Sequence, residues 1–145
     1  MMKKSLIILV LVASQFMVAQ NSPKEMAATF FVNYQNEGAS IAIDKLYSSN
    51  KWMEQATEAI TNLKNKLEGL NENYVGQYYG YELIGEKKLA ESYVLLSYLV
   101  KFDRQPIRYT FQFYKPDQTW ILYSFKFDSD IDKEIEEAAK LMYLD

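Results

Sequence analysis

The chain has 145 residues, a formal charge of -3, no histidine and no cysteine. Without cysteine there is no disulfide framework and no thiol catalysis, and with histidine also missing the usual tetrahedral zinc sites, the commonest general base and the usual activator of a serine nucleophile are gone. No stripe of lysine or arginine interrupts the acidic balance, which argues against nucleic acid and anionic membrane surfaces as partners.

Lys3 and Lys4, the apolar run from Leu6 to Ala13 and the exit Val18-Ala19-Gln20 read as a secretory signal peptide over residues 1–20, with cleavage after Ala19 or Gln20. The run is shorter than the ~20 residues that span a bilayer, so no stable membrane anchor is expected after cleavage. Export to a bacterial periplasm or medium is the expectation, since small eukaryotic secreted domains lean on disulfides. A lipid anchor is excluded because the mature chain has no cysteine to carry it. Loss of Lys3 and Lys4 leaves 14 basic residues against 19 acidic ones, a charge of -5. Residues 21–145 show no repeat, linker or low-complexity segment and are read as one domain, long enough to stand on a hydrophobic core alone.

Ser22-Pro23-Lys24-Glu25 opens the first helix: Ser22 caps, Pro23 suits the first helical position and Glu25 completes a capping box. Met26, Ala27, Phe30, Phe31 and Tyr34 give this helix one apolar face, and Gly38 ends it. A short second helix after Ser40 carries Ile41, Ile43, Leu46 and Tyr47; Ser48-Ser49-Asn50 breaks it and caps the next. The third helix is expected from Lys51 to Leu70, where Met53, Ala56, Ile60, Leu63, Leu67 and Leu70 step by three and four. Fewer than three heptads favour packing on a sheet over a coiled-coil seam.

From Gln77 the period becomes two, and residues 78–127 hold 14 of the 22 aromatic residues. The first strand, Gln77 to Lys87, is expected to put Tyr79, Tyr81 and Leu83 on one face and Tyr78, Gly80, Glu82 and Ile84 on the other. Gly80 and Gly85 point to bulges that curve the sheet. The second strand, Ser92 to Phe102, is apolar on both faces, which is unusual for a strand with one face in water. In the third, Ile107, Tyr109, Phe111 and Phe113 face one way; in the fourth, Ile121, Tyr123, Phe125 and Phe127 do so, opposite Trp120, Leu122, Ser124 and Lys126. The hairpin loop at Lys115-Pro116-Asp117-Gln118 leaves the register open: an even loop places Phe113 beside Trp120, and an odd one aligns the odd-numbered sets. A last helix, Ile131 to Met142, is expected to be capped by the Ser129–Asp132 pair, with Ile131, Ile135, Ala138, Ala139 and Met142 as its apolar side.

The fold class is therefore α+β: N-terminal helices packed on a curved four-stranded antiparallel sheet, with an extra C-terminal helix. The helices suffice for one sheet face. A homodimer through the other face is the expected cover, the alternative being an exposed patch that binds something else.

No catalytic residue, metal ligand or cofactor is assigned. The five glycines make no phosphate loop. Asp128, Asp130 and Asp132 mimic the start of a calcium loop, but Lys133 and Ala139 stand where that loop needs Gly and Glu, and helix capping accounts for the acids. Glu82 or Asp103 beside a tyrosine is the remaining acid–base arrangement, against the plainer reading of solvated strand-end charges.

The opening helix with Phe30, Phe31 and Tyr34, the Leu46-Tyr47 segment, and Phe111-Gln112-Phe113-Tyr114-Lys115-Pro116 followed by Trp120 resemble the nuclear transport factor 2-like superfamily, including its small exported bacterial members. The resemblance covers most of residues 23–127. It implies a cone-shaped, cystatin-like α+β fold in which a curved sheet wraps the long helix and leaves a pocket at the open end. Members include steroid isomerases, dehydratases and non-catalytic binding domains, often dimerising through the sheet, so the fold does not give the function. The enzymes of the superfamily use placed Asp, Tyr or His groups; this chain has no His and no Asp–Tyr pair that maps residue by residue. The expectation is a non-catalytic exported binding domain holding a small apolar ligand in a cone pocket lined by some of Phe30, Tyr34, Trp52, Tyr98, Tyr109 and Tyr123. The alternatives are an isomerase- or dehydratase-like enzyme using a carboxylate and a tyrosine, and a structural envelope protein.

Overall fold

A computed structural model describes residues 21–142; the expected signal peptide lies outside the described residues. The order is α1 (Pro23–Glu37), α2 (Ala39–Tyr47), a 3₁₀ helix (Lys51–Gln55), α3 (Thr57–Glu68), α4 (Glu72–Val75), β1 (Tyr78–Leu89), β2 (Tyr93–Phe102), β3 (Pro106–Tyr114), β4 (Ile121–Asp128) and α5 (Ile131–Leu141). The strands form one antiparallel meander in the order β1-β2-β3-β4. This is the α+β architecture expected, with helices before strands and one helix after.

The N-terminus of α1 folds as its sequence dictates. The Ser22 hydroxyl accepts from the Glu25 N–H at 3.3 Å, and the Glu25 carboxylate accepts from the Ser22 N–H at 2.7 Å, closing the capping box. At the other end Gly38 takes a positive φ of 91° and its N–H reaches the Tyr34 carbonyl, turning the chain directly into α2. These two helices bury Ala27, Phe30, Phe31, Ala42, Ile43, Leu46 and Tyr47 against the sheet.

The third helix departs from expectation. The Asn50 side chain accepts from the Trp52 N–H at 3.1 Å, which starts a tight 3₁₀ turn; only after Ala56 does α3 begin, and it buries Leu67 alone. The long helix on the sheet is α1, with α3 at the periphery. Asn50 stays buried because its side-chain amide also donates to the Leu122 carbonyl at 2.8 Å, while the Ser49 hydroxyl accepts from the Leu122 N–H at 3.0 Å. Two adjacent side chains thus satisfy both backbone groups of Leu122 on the edge strand β4.

The sheet reads as alternating rows. Facing the helices are Lys88–Val94–Phe113–Leu122, Glu86–Leu96–Phe111–Phe125, Leu83–Tyr98–Tyr109–Phe127 and Tyr81–Val100–Ile107. Facing away are Leu89–Tyr93–Tyr114–Ile121, Lys87–Leu95–Gln112–Ser124, Gly85–Ser97–Thr110–Lys126 and Glu82–Leu99–Arg108–Asp128. Bulges keep the rows in phase. In β1 the register slips between Tyr78 and Tyr81, around Gly80 with φ 105°, and again at Ile84 beside Gly85. The first slip brings Tyr78 and Tyr81 to the same side, which strict alternation from Tyr79 does not allow.

The β3–β4 hairpin contains both parities, with Phe113 beside Leu122 and not Trp120. Next to the loop Phe113 pairs with Leu122, odd with even; past a bulge that leaves Tyr123 unpaired, Phe111 pairs with Phe125 and Tyr109 with Phe127, odd with odd. One inserted residue keeps Leu122 and Phe125 both inside, where they are 0 % and 5 % exposed. The expected face set is corrected accordingly: Leu122 turns in and Tyr123 turns out.

Candidate functional site

Four of the six residues expected around a pocket meet between α1 and the sheet. The Phe30 ring lies 5.9 Å from that of Tyr34, 6.3 Å from Tyr109, 5.2 Å from Phe111 and 5.3 Å from Phe125. Tyr98 joins through Phe31 at 5.3 Å and Phe111 at 5.7 Å. α1 presents Phe30, Phe31 and Tyr34 together because they fall on one helical face; Tyr98, Tyr109 and Phe111 each meet one or more of them edge-on, while Tyr81 stacks on Phe31 at 3.8 Å. The cluster is closed. Tyr109 has no exposed surface and Phe30 has 1 %, so the rings themselves occupy the space expected to hold a ligand.

The other two residues lie elsewhere. Trp52 projects from the 3₁₀ helix, 68 % exposed, with the Lys51 ammonium 5.2 Å above its ring. Tyr123 stands on the outward face of the sheet against Tyr93, ring to ring at 5.8 Å. Hollows flank the cluster instead of entering it. One of about 220 Å³ lies between Met26, Phe30 and Asn33 of α1 and Lys45 and Leu46 of α2, and another of about 300 Å³ between Tyr34, Ala39, Leu67 and Leu70.

The buried phenols are held neutral. The Tyr109 hydroxyl donates to the Tyr34 oxygen at 3.3 Å, and burial pushes Tyr109 well above the ordinary phenol range, with Tyr34 adding to the shift. Burial, then the neighbouring Tyr81, pushes Tyr78 and Tyr98 up to about 12. Among the described residues no carboxylate is hydrogen-bonded to a tyrosine hydroxyl. Glu86, on the inward row opposite Leu96, is taken by Lys24 at 2.6 Å, which holds its carboxyl below the usual range. Glu82 faces outward and pairs with Lys101 at 2.9 Å.

The outward face holds residues that the sequence reading passed over. Gly85, Ser97 and Thr110 make a row of small side chains across three strands, with apolar Leu95 on one side and Leu99 on the other. A shallow hollow of about 330 Å³ lies over it, lined by Leu95, Ser97, Arg108, Thr110, Lys126 and Asp128. At one end the Arg108 guanidinium is held by Asp128 through two hydrogen bonds of 3.1 and 2.9 Å and by Glu134 of α5. Glu134 is held below its usual carboxyl range by that bond. The expected Ser129–Asp132 cap does not form: the Asp128 carboxylate accepts from the Asp130 N–H at 3.1 Å and turns the chain into α5, so that acid serves the turn and Arg108. The signal that could have found this face was the small residue at the same phase in successive strands.

Leu89, on the outward row, is 72 % exposed and Tyr123 57 %, while Tyr93, Leu95 and Leu99 are half-buried by their strand neighbours. Among the described residues no helix is long and apolar enough to cross a membrane. Comparison with protein-family models, with curated proteins and with solved structures gives no match for this chain.

Proposed function

We propose that this chain is an exported, non-catalytic interaction domain that works as a homodimer through the outward face of its sheet. The observation that carries the reading is the contrast between an interior filled by its own rings and an outward face that leaves Leu89, Tyr93, Leu95, Leu99, Tyr114 and Tyr123 at least partly in solvent. The likeness of the helix order and the Phe111–Trp120 hairpin to nuclear transport factor 2-like domains supports the same side of the molecule. The export part rests on the sequence of residues 1–20 alone. Neutral buried phenols without a bonded carboxylate support a binding role over the isomerase- or dehydratase-like alternative, which needs a proton acceptor beside a tyrosine.

Sedimentation equilibrium of residues 21–145 tests the reading. A dimer is expected at micromolar concentration, and Leu95→Glu, which sets a charge in the middle of the outward face, is expected to give a folded monomer. A wild-type chain that stays monomeric at about 100 µM, a concentration at which even a weak dimer of −5 to −6 kcal/mol is populated, sinks it.

A further inference from the structure

α5 is amphipathic with almost nothing to pack on. Ile131, Ile135, Ala138, Ala139 and Met142 fall on one side at helical spacing, yet no residue of α5 is buried; Ile135 is 64 % and Met142 79 % exposed. The first turn is anchored, since Ile131 is half-buried and Glu134 is held by Arg108 at the end of the outward face. Beyond it the helix, about 16 Å long, carries an apolar stripe that its own chain leaves in water.

We propose that α5 is an exchanged arm: in the homodimer, the stripe of each copy lies in the small-residue trough of the other's outward face. The inference rests on the dimer reading above and adds its contact. Charge selects the occupant. With the Arg108–Glu134 pair set aside as internal to each chain, Asp132, Glu136 and Glu137 against Lys133 and Lys140 leave α5 acidic, while Lys87, Lys101 and Lys126 against Glu82 and Asp128 leave the outward face basic. An anionic lipid surface would be repelled by such a helix. Shape agrees, because Ser97 and Thr110 floor a hollow beside Leu95 that Ile135 or Ala138 of a partner fills. Area allows it: four strands about 4.8 Å apart and about 30 Å long offer roughly 500–600 Å² per copy, room for an arm about 16 Å long and about 10 Å wide. The anchor at Arg108 holds the helix root on the rim of its own face, where a two-fold axis carries each stripe to the opposite copy and makes the contact reciprocal.

The chain's lack of cysteine makes the test direct. Ile135→Glu keeps a good helix former and should weaken dimerisation about tenfold or more, with circular dichroism unchanged and the melting temperature unchanged at a concentration where the chain is monomeric. Mixing a Ser97→Cys chain with an Ala138→Cys chain and adding a short bismaleimide should link the two different chains, detected by mass. If the dimer constant does not move with Ile135→Glu while Leu95→Glu still breaks the dimer, the arm is overturned and the dimer reading stands. If cross-links form only within a doubly substituted chain, α5 folds onto its own sheet and the proposal fails. If wild type is a monomer, both readings fall.

Discussion

The two faces of this one sheet are built from the same strands, yet they end in opposite states. On the inward face Val94, Leu96, Tyr98, Val100, Ile107, Tyr109, Phe111 and Phe113 are all buried; on the outward face Tyr93, Leu95, Leu99 and Tyr114 are not. The difference comes from cover and from composition, since Lys87, Arg108, Gln112, Lys126 and Asp128 interrupt the apolar residues of the outward face. α1 and α2 bring Phe30, Phe31, Ile43 and Leu46 onto one side, and that side becomes core. An aromatic strand is therefore not a pocket or a core by composition alone. What lies over it also decides.

The largest effect that breaks this contrast comes from the covered side. Phe111 has no exposed surface and packs against Phe30, Phe31, Tyr98, Phe113 and Phe125. Phe111→Ala should cost about 3–5 kcal/mol in urea unfolding, because rings held on several sides cannot all collapse into the space. A loss under about 1 kcal/mol would mean that the interior is not close-packed. Next comes the joint between helix layer and sheet edge. Asn50→Ala removes the donor to the Leu122 carbonyl and the acceptor of the Trp52 N–H, and should cost about 1–3 kcal/mol. Asn50→Asp keeps the acceptor but sets a carboxylate oxygen against the buried Leu122 carbonyl, so it should cost at least as much as Asn50→Ala.

Alkaline pH sharpens the comparison without mutation. The inward phenols Tyr34, Tyr78, Tyr98 and Tyr109 are all raised, chiefly by burial, and Tyr78 and Tyr98 reach about 12. Each is protonated in the fold and ionises near 10 in the unfolded chain, so the unfolded chain loses protons first as pH rises. Their contribution is complete below pH 10 and declines from there; that of Tyr78 and Tyr98 is lost as pH passes through about 12. Tyr109→Phe should make that decline shallower, at a cost of about 1 kcal/mol or less at pH 7 for the hydrogen bond to Tyr34. A pH titration followed by tyrosine absorbance and circular dichroism reads both.

Much of this fold was legible in the sequence because local signals agreed with the tertiary structure. The capping box at Ser22, the turn at Gly38, the bulges beside Gly80 and Gly85 and the inward set of β3 all follow from residue type and period. The bulge at Tyr123 was not legible, since Ile121 to Phe127 alternate cleanly and only the pairing with Phe113 and Phe111 shows that one residue must be skipped. The 3₁₀ start at Lys51 was hidden for a similar reason: Asn50 caps as its sequence suggests, but its amide nitrogen is also tied to Leu122 across the fold, a contact no local signal shows. The site suffered most. Aromatic density placed Phe30, Tyr34, Tyr98 and Tyr109 together but could not tell a lined cavity from a filled one, and it grouped Trp52 and Tyr123 with rings they never meet.

The smallest expected effect on stability is the one that separates the faces most cleanly. Tyr123 sits outside because the bulge expelled it; it touches Tyr93 and is 57 % exposed, so its ring owes little to the fold of its own chain. Tyr123→Ser should change monomer stability by no more than about 0.5 kcal/mol, as surface substitutions away from caps and buried networks do. In the proposed dimer the same ring is part of the covered face, and tyrosines of this kind carry a disproportionate share of interface energy. The dimer constant should therefore weaken several-fold while the urea midpoint, measured at a concentration where the chain is monomeric, stays put. A variant that loses stability and keeps its association would show that the outward tyrosines serve the sheet itself and that the contact between copies lies elsewhere.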